Sequence, residues 1–234
     1  MISQGNIHYK ELLKMFTATN YAYGTWELFS DFLIVSATAI SNSVDEQNKE
    51  QREKQYLETI GKYPVDKQEM FPEMLAHLVL ALEYEKETGR LTDILGHLFH
   101  ELNLHNKYKG QYFTPQNICD MMGVMSIVDS EQFIKENGYI MIAEPTCGSG
   151  CMVLGFANAM RANNLDFTKQ MVATATDIDL KCVHMCYIQL VLYAIPAVVI
   201  HGNSLTDEEW SHWYTPMFVV GGWGKRVGRK SAKE

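Results

Sequence analysis

Past residue 139 the sequence alternates between short apolar runs and helix-length segments, and that alternation admits few folds. Residues 139–143 form a strand-length apolar run, 151–162 a helix, 172–176 a second strand and 197–201 a third. The helix between the last two, 180–194, carries Cys182, Met185, Cys186, Leu190 and Tyr193. Strands separated by helices of this length predict an α/β fold with a parallel, doubly wound sheet. Right-handed crossovers bring the ends of all three strands to one edge, where such sheets bind their ligands. Three turns meet there: Glu144-Pro145-Thr146-Cys147-Gly148-Ser149-Gly150, Asp177-Ile178-Asp179 and Gly202-Asn203.

Each turn has a chemistry. Glycines without a Cβ let the backbone approach a ligand closely. The N–H groups that open helix 151–162 point at whatever lies in the turn. Glu144 can accept a hydrogen bond from an ammonium or hydroxyl, which favours a zwitterionic or ribose-bearing cofactor over a phosphate. An acid ending the second strand, here Asp177, suits ribose hydroxyls. Ile178 can pack on an adenine face and Asn203 can pair with an adenine edge. No lysine follows Gly150 as a nucleotide triphosphatase would require.

The part before this alternation reads as helical from about residue 8 to 110. Trp26, Phe29 and Leu33 recur at helical spacing, as do Leu75, Leu78, Val79 and Leu82. Asp93 is placed to cap a helix over 94–104. These segments predict a helical N-terminal domain of about four helices, 1–108, ahead of a ligand-binding domain, 109–234. Residues 41–54 read as a linker or an exposed helix, and the basic stretch from Lys225 to Lys230 as a frayed, solubilising tail. The net charge of −8 gives the bulk surface no nucleic-acid signature. No apolar run is long enough to span a membrane, and no signal peptide precedes Lys10. Five cysteines, an odd number without secretory context, predict reduced thiols in a cytoplasm. Cys147 with Cys151 and Cys182 with Cys186 have a spacing that a metal could use. They are read instead as loop and core residues, so no metal is expected. His97, His100 and His105 are assigned no function.

Four motifs in order, Gly110-Gln111-Tyr112-Phe113-Thr114-Pro115, Glu144 to Gly150, Asp177-Ile178-Asp179 and Gly202-Asn203-Ser204-Leu205, resemble those of the adenine-N6 DNA methyltransferases. The likeness is greatest to modification subunits of type I restriction systems and covers about residues 108–206. It implies a Rossmann-like class I methyltransferase domain with a partial parallel sheet. It implies S-adenosylmethionine as cofactor and DNA as partner, reached directly or through a specificity subunit. On that resemblance Thr114 meets the methionine carboxylate, Tyr112 and Phe113 line the pocket, and Glu144, Pro145, Cys147, Gly148 and Gly150 hold the methionine end. Asp177 takes the ribose and Ile178 the adenine face. Asn203 stands where the family has Asp, and loses the charge-assisted part of that bond.

The family's base-holding motif, Asn-Pro-Pro-aromatic, does not occur in the 234 residues. In that motif Asn and a Pro carbonyl accept the hydrogens of a flipped adenine amine, and the aromatic stacks on the base. The nearest string is Thr215-Pro216-Met217-Phe218, which leaves Thr215, Pro216 and Phe218 as the candidates for that role. No clear strand precedes it: 210–214 is aromatic and polar. The resemblance therefore allows two readings, an adenine-specific DNA methyltransferase or an inactive cofactor- or partner-binding subunit. The chain reads either as a fragment or, by its Gly-rich and basic end, as a short member of the family. A sheet stopped at three strands would keep a bare edge, open to self-association or to a partner.

Overall fold

The computed structural model describes residues 2–18, 23–104, 113–128 and 130–231, with 229–231 as backbone only. Six helices precede residue 105 among these: α1 (Ile7–Ala18), α2 (Thr25–Ser41), α3 (Lys49–Ile60), α4 (Val65–Gln68), α5 (Met70–Glu87) and α6 (Ile94–Glu101). Then come α7 (Gln116–Ser126), α8 (Ser130–Asn137), β1 (Ile140–Glu144), α9 (Cys151–Ala162), α10 (Phe167–Gln170), β2 (Met171–Asp177) and α11 (Leu180–Leu192). The described chain closes with β3 (Ala197–Asn203), β4 (Glu208–Tyr214), α12 (Pro216–Val220) and α13 (Trp223–Ser231). No described helix is long and apolar enough to cross a membrane.

The three expected strands and the helices between them are present on a Rossmann-like α/β scaffold, and six described helices stand before residue 105 where about four were expected. The described residues form one sheet in the order β1-β2-β3-β4, with β1, β2 and β3 parallel. The fourth strand corrects the expectation of three strands and of no strand before Thr215. β4 turns back antiparallel on β3, Val199 opposite Trp213, and covers that edge. Its aromatic content suits a pleated surface, and it is held by a side chain from the helical part of the chain. The buried Arg52 on α3 donates from Nη2 to the His212 carbonyl at 2.6 Å and lies 4.1 Å over the Trp213 ring. Asp45 and Ser41 hold the same guanidinium. The sheet keeps two edges, β1, which pairs only with β2 among the described strands, and β4, whose outer side receives Arg52 at the His212 carbonyl.

Period-two alternation assigns the two faces of the sheet. Ile140, Ile142, Met171, Ala173, Ala175, Ala197, Val199 and Trp213 face the main core. α11 is apolar nearly all round, and it packs between β2 and β3 on one side and α2 on the other. One hydrophobic cluster accordingly runs from Tyr9 of α1 to Trp213 of β4, through both the helical part and the sheet. On the opposite face Tyr139, Val172, Phe218, Trp223 and Val227 form a smaller cluster. The expected frayed tail is instead helix α13. It is docked by Trp223, which meets Tyr139 edge to face at 5.1 Å and lies under Arg226 at 3.6 Å.

Candidate functional site

The carboxyl ends of β1, β2 and β3 open on a cavity of about 980 Å³. Its walls come from all the sequence motifs: Phe113 and Thr114, the 145–149 loop, 177–179, and 202–205. Of the residues expected to hold a cofactor, Phe113, Thr114, Pro145, Cys147, Gly148, Asp177, Ile178 and Asn203 line it. Glu144 lines instead an adjoining cavity of about 240 Å³, which shares Pro145, Asn203 and Ser204 with the larger one. Gly150 sits behind the loop and starts α9. Tyr112 lies outside the described residues, as do Gly110, Gln111 and His105.

The loop after β1 is shaped by two glycines with different tasks. Gly148 has φ +52°, and a Cβ there would come within 3.0 Å of the Phe113 ring. The Phe113 ring therefore approaches bare backbone closely and forms part of the cavity wall. Gly150 has φ +96° at the N-cap, where a Cβ would meet the Cys186 sulfur at 3.1 Å. Cys147 N–H donates to the Thr176 carbonyl at 2.8 Å, which pins the loop to the end of β2.

Asp177 is the organising acid. Its Oδ2 accepts from the Gly148 N–H at 2.9 Å and its Oδ1 from the Asp179 N–H at 2.9 Å. Each oxygen keeps lone-pair capacity toward the cavity. Burial raises the Asp177 carboxyl above the ordinary aspartate range, against the lowering effect of those two N–H groups. Glu144 Oε1 accepts from the Thr146 N–H at 3.1 Å. The Asn203 side-chain oxygen accepts from the Leu205 N–H at 3.0 Å, and Ser204 donates its hydroxyl to the Pro145 carbonyl. Ile178 and Leu205 are exposed apolar side chains on the rim.

Three of the five cysteines, Cys147, Cys151 and Cys182, line the cavity. The Cys147 thiol is pushed up by its contact with Cys186 and by burial, Cys151 by its contact with Cys119 and by burial, and Cys182 by burial first. They are neutral thiols in this setting, and the described residues contain no cluster able to hold a metal.

The residues missed by sequence reasoning stand behind the loop. The Ser149 hydroxyl donates to Asp93 Oδ2 at 2.5 Å. Gln189 of α11 donates to Asp93 Oδ1 at 2.8 Å and to the Ser149 carbonyl at 2.7 Å. Gln116, the first residue of α7, accepts from the Asp93 N–H at 2.8 Å. No sequence pattern marks Gln116 or Gln189, because a buried glutamine on an apolar helix has no periodic signature.

Thr215, Pro216 and Phe218 are not at the cavity, and this corrects their candidacy as base-holding residues. The Thr215 hydroxyl donates to the Ile195 carbonyl at 2.9 Å and accepts from the Ala197 N–H at 2.9 Å. That is the start of β3; the cavity is at its far end, about 20 Å along the strand at ~3.3 Å per residue. Thr215 is fully buried and caps α12, in which Pro216 is the first residue. Phe218 packs on the second face with Tyr214 and Trp223.

The sequence matches the family described as N-6 DNA Methylase over residues 88–221. Among solved structures, the chain is similar to the crystal structure of the type I restriction-modification system methyltransferase subunit from Streptococcus thermophilus. The identity is 17%, the TM-score 0.45, and the alignment covers 87% of this chain and 40% of that one. The chain thus spans less than half the length of that protein. A comparison with curated proteins gives no match. The family match extends over more than half of the 234 residues, and on that ground the chain belongs to the N-6 DNA methylase family.

Proposed function

We propose that this chain binds S-adenosylmethionine in the 980 Å³ cavity and serves methyl transfer to adenine N6 in DNA, in a cytoplasmic restriction-modification setting. One observation carries the reading: four separate motifs, in the order that distinguishes the family, line one cavity of a size suited to a small-molecule cofactor. The donor set fits. Asp177 keeps acceptor capacity for ribose hydroxyls, and Ile178 and Leu205 offer apolar surface for a purine. Phe113 and the bare backbone of Gly148 form part of the wall, and Thr114, also on the lining, would meet the carboxylate of the cofactor. When bound, the cofactor supplies an electrophilic methyl group on sulfur. The chain's own residues orient it, hold its ribose and shield one side from water.

A second reading, in which this chain is a cofactor-holding subunit completed by a partner, is favoured by two observations. The Asn-Pro-Pro-aromatic string is absent from the 234 residues. The open edge of β1 ends at Glu144 and Pro145 on the cavity rim, so a strand added there would carry its own end to the site. Residues 109–234 would form the cofactor-holding part and 1–108 the helical platform. DNA, directly or through a specificity subunit, is the partner in either reading.

Calorimetric titration with S-adenosylmethionine tests the common ground, and tritium transfer from the labelled cofactor to adenine-containing duplex separates the readings. Binding with transfer supports the enzyme. Binding without transfer supports the subunit. Absence of binding overturns both.

A further inference from the structure

Asn203 is the last residue of β3 and stands on the wall shared by the two cavities. Its side chain is committed in one direction. Oδ1 accepts from the Leu205 N–H at 3.0 Å, two residues on, as asparagine does in a tight turn. A backbone N–H can face only the oxygen of an amide, so this contact fixes which end is which. The turn itself is held on both sides: Thr206 N–H donates to the Asn203 carbonyl at 3.1 Å, and the Ser204 hydroxyl donates to the Pro145 carbonyl. What the side chain has left for a ligand is Nδ2, which has no hydrogen-bond partner among the described residues. An aspartate turned the same way would present an acceptor oxygen there; Asn203 presents N–H donors. Asp177 ends the neighbouring strand β2, and Ile178 and Leu205 stand exposed and apolar beside the two residues. A nucleoside with its ribose on Asp177 would carry its base toward the end of β3.

We propose that Asn203 is a specificity-determining residue that meets the base of the bound nucleoside as a hydrogen-bond donor, so that this site accepts a 6-oxopurine about as well as a 6-aminopurine. The inference rests on the reading that the larger cavity holds S-adenosylmethionine. Adenine presents a donor amine at its six position beside an acceptor at N1. Hypoxanthine presents the reverse, an acceptor oxygen beside an N1–H. Either edge offers one acceptor to the Asn203 amide, N1 in the first and O6 in the second. A carboxylate in the same place would accept from the amine and would face the O6 lone pairs with its own, which is how a site excludes the wrong base. The surroundings suit an uncharged donor. Glu144, Asp207, Glu208 and Glu209 already line the adjoining cavity, and an amide on the shared wall avoids a fifth carboxylate among them.

Calorimetric titration of the whole chain at pH 8 with S-adenosylhomocysteine and with S-inosylhomocysteine tests it. The two ligands carry the same charge and differ only at the purine edge. The parent is expected to bind the inosyl ligand no more than about fivefold more weakly than the adenosyl one. Asn203→Asp, which keeps an acceptor for the Leu205 N–H, is expected to shift the ratio toward the adenosyl ligand by about tenfold or more. Both ligands meet the same added charge, so the ratio isolates the edge contact. A parent that prefers the adenosyl ligand by more than about fivefold overturns the proposal and leaves the cofactor reading standing. So does a ratio that Asn203→Asp leaves unchanged. If Asn203→Asp loses its fold by circular dichroism, Asn203→Ala decides: it should weaken both ligands by a common factor of about threefold or more, and unchanged affinities overturn the proposal. A parent that binds neither ligand overturns the cofactor reading and this proposal with it.

Discussion

The Ser149 hydroxyl lies 2.5 Å from Asp93 Oδ2, and this contact joins the glycine loop after β1 to the N-terminus of α6 in the helical part of the chain. Asp93 caps α6 through the Gly96 N–H at 2.8 Å. The same carboxylate takes Gln189 of α11, so three elements converge on one buried acid. Ser149→Ala leaves one acceptor lobe unfilled and is expected to cost about 1–3 kcal/mol of stability. Asp93→Ala strands the Gly96, Ser149 and Gln189 donors together and should cost more. Urea unfolding at constant m-value measures both. A loss below about 0.5 kcal/mol in either variant would show that the loop is held by packing alone.

With S-adenosylmethionine bound as proposed, Asp177 would link its affinity to pH. Its folded carboxyl titrates above the ordinary aspartate value because it is buried. Only the ionised form accepts from two ribose hydroxyls without surrendering a lone pair. Affinity for S-adenosylmethionine is therefore expected to rise as pH climbs through the Asp177 titration and then to level off. Asp177→Asn should flatten that profile, and Asp177→Ala should weaken binding by about 1–3 kcal/mol at neutral pH. Stability runs the other way: a raised carboxyl pKa favours the folded state below it and loses that contribution as pH rises from the unfolded value through the folded one. Calorimetry at several pH values reads the first effect, and equal affinity in Asp177→Ala would remove this residue from the site.

The crossing of α7 and α9 is set by glycine. Gly155→Ala drives a methyl group into the Cys119 carbonyl, and Gly123→Ala drives one into Gly155. Neither neighbour is a flexible side-chain tip, so the helices must separate. Each substitution is expected to destabilise by about 1–3 kcal/mol, the range for overpacking. Gly224→Ala, whose Cβ would meet only Phe218 at 3.9 Å, serves as the control and should change stability little. Thermal unfolding of the three variants compares them directly. Equal melting temperatures would mean that the crossing relaxes without cost.

What could be read in the sequence was local. The three parallel strands, the helices between them and the cap at Asp93 follow from periodicity and turn chemistry, which act over a few residues. The convergence of Asp177, Asn203 and the Gly148 loop followed from topology. What was hidden depends on contacts far apart in sequence. β4 has no clean alternation; it is a strand through its antiparallel pairing with β3, and Arg52, 160 residues earlier, braces it at the His212 carbonyl. Thr215 looked like part of a motif because sequence spacing cannot show that its hydroxyl is spent on Ile195 and Ala197. Glu144 looked like a wall of the main cavity, yet its side chain turns back on the Thr146 N–H and faces the smaller one.

His184 is fully buried on α11, and neither ring nitrogen has a hydrogen-bond partner among the described residues. Its ring stands edge-on to Trp213 at 4.6 Å. Burial pushes its pKa down to about 3, and the nearby His201 and Arg52 add to the effect. In the unfolded chain the same imidazole takes a proton near pH 6.5. As pH falls below that value the unfolded state binds a proton that the folded state refuses, so stability drops by up to ~1.4 kcal/mol per pH unit until the folded pKa is reached. Above that window the neutral ring costs only its two unmet hydrogen bonds. His184→Phe keeps a flat ring against Trp213 and removes both burdens. It is expected to leave stability at pH 8 equal or higher and to flatten the decline between pH 6 and pH 4. Chemical unfolding at those pH values measures the difference. An acid limb as steep in His184→Phe as in the parent would assign acid sensitivity to other groups, Asp45 beside Arg52 first among them.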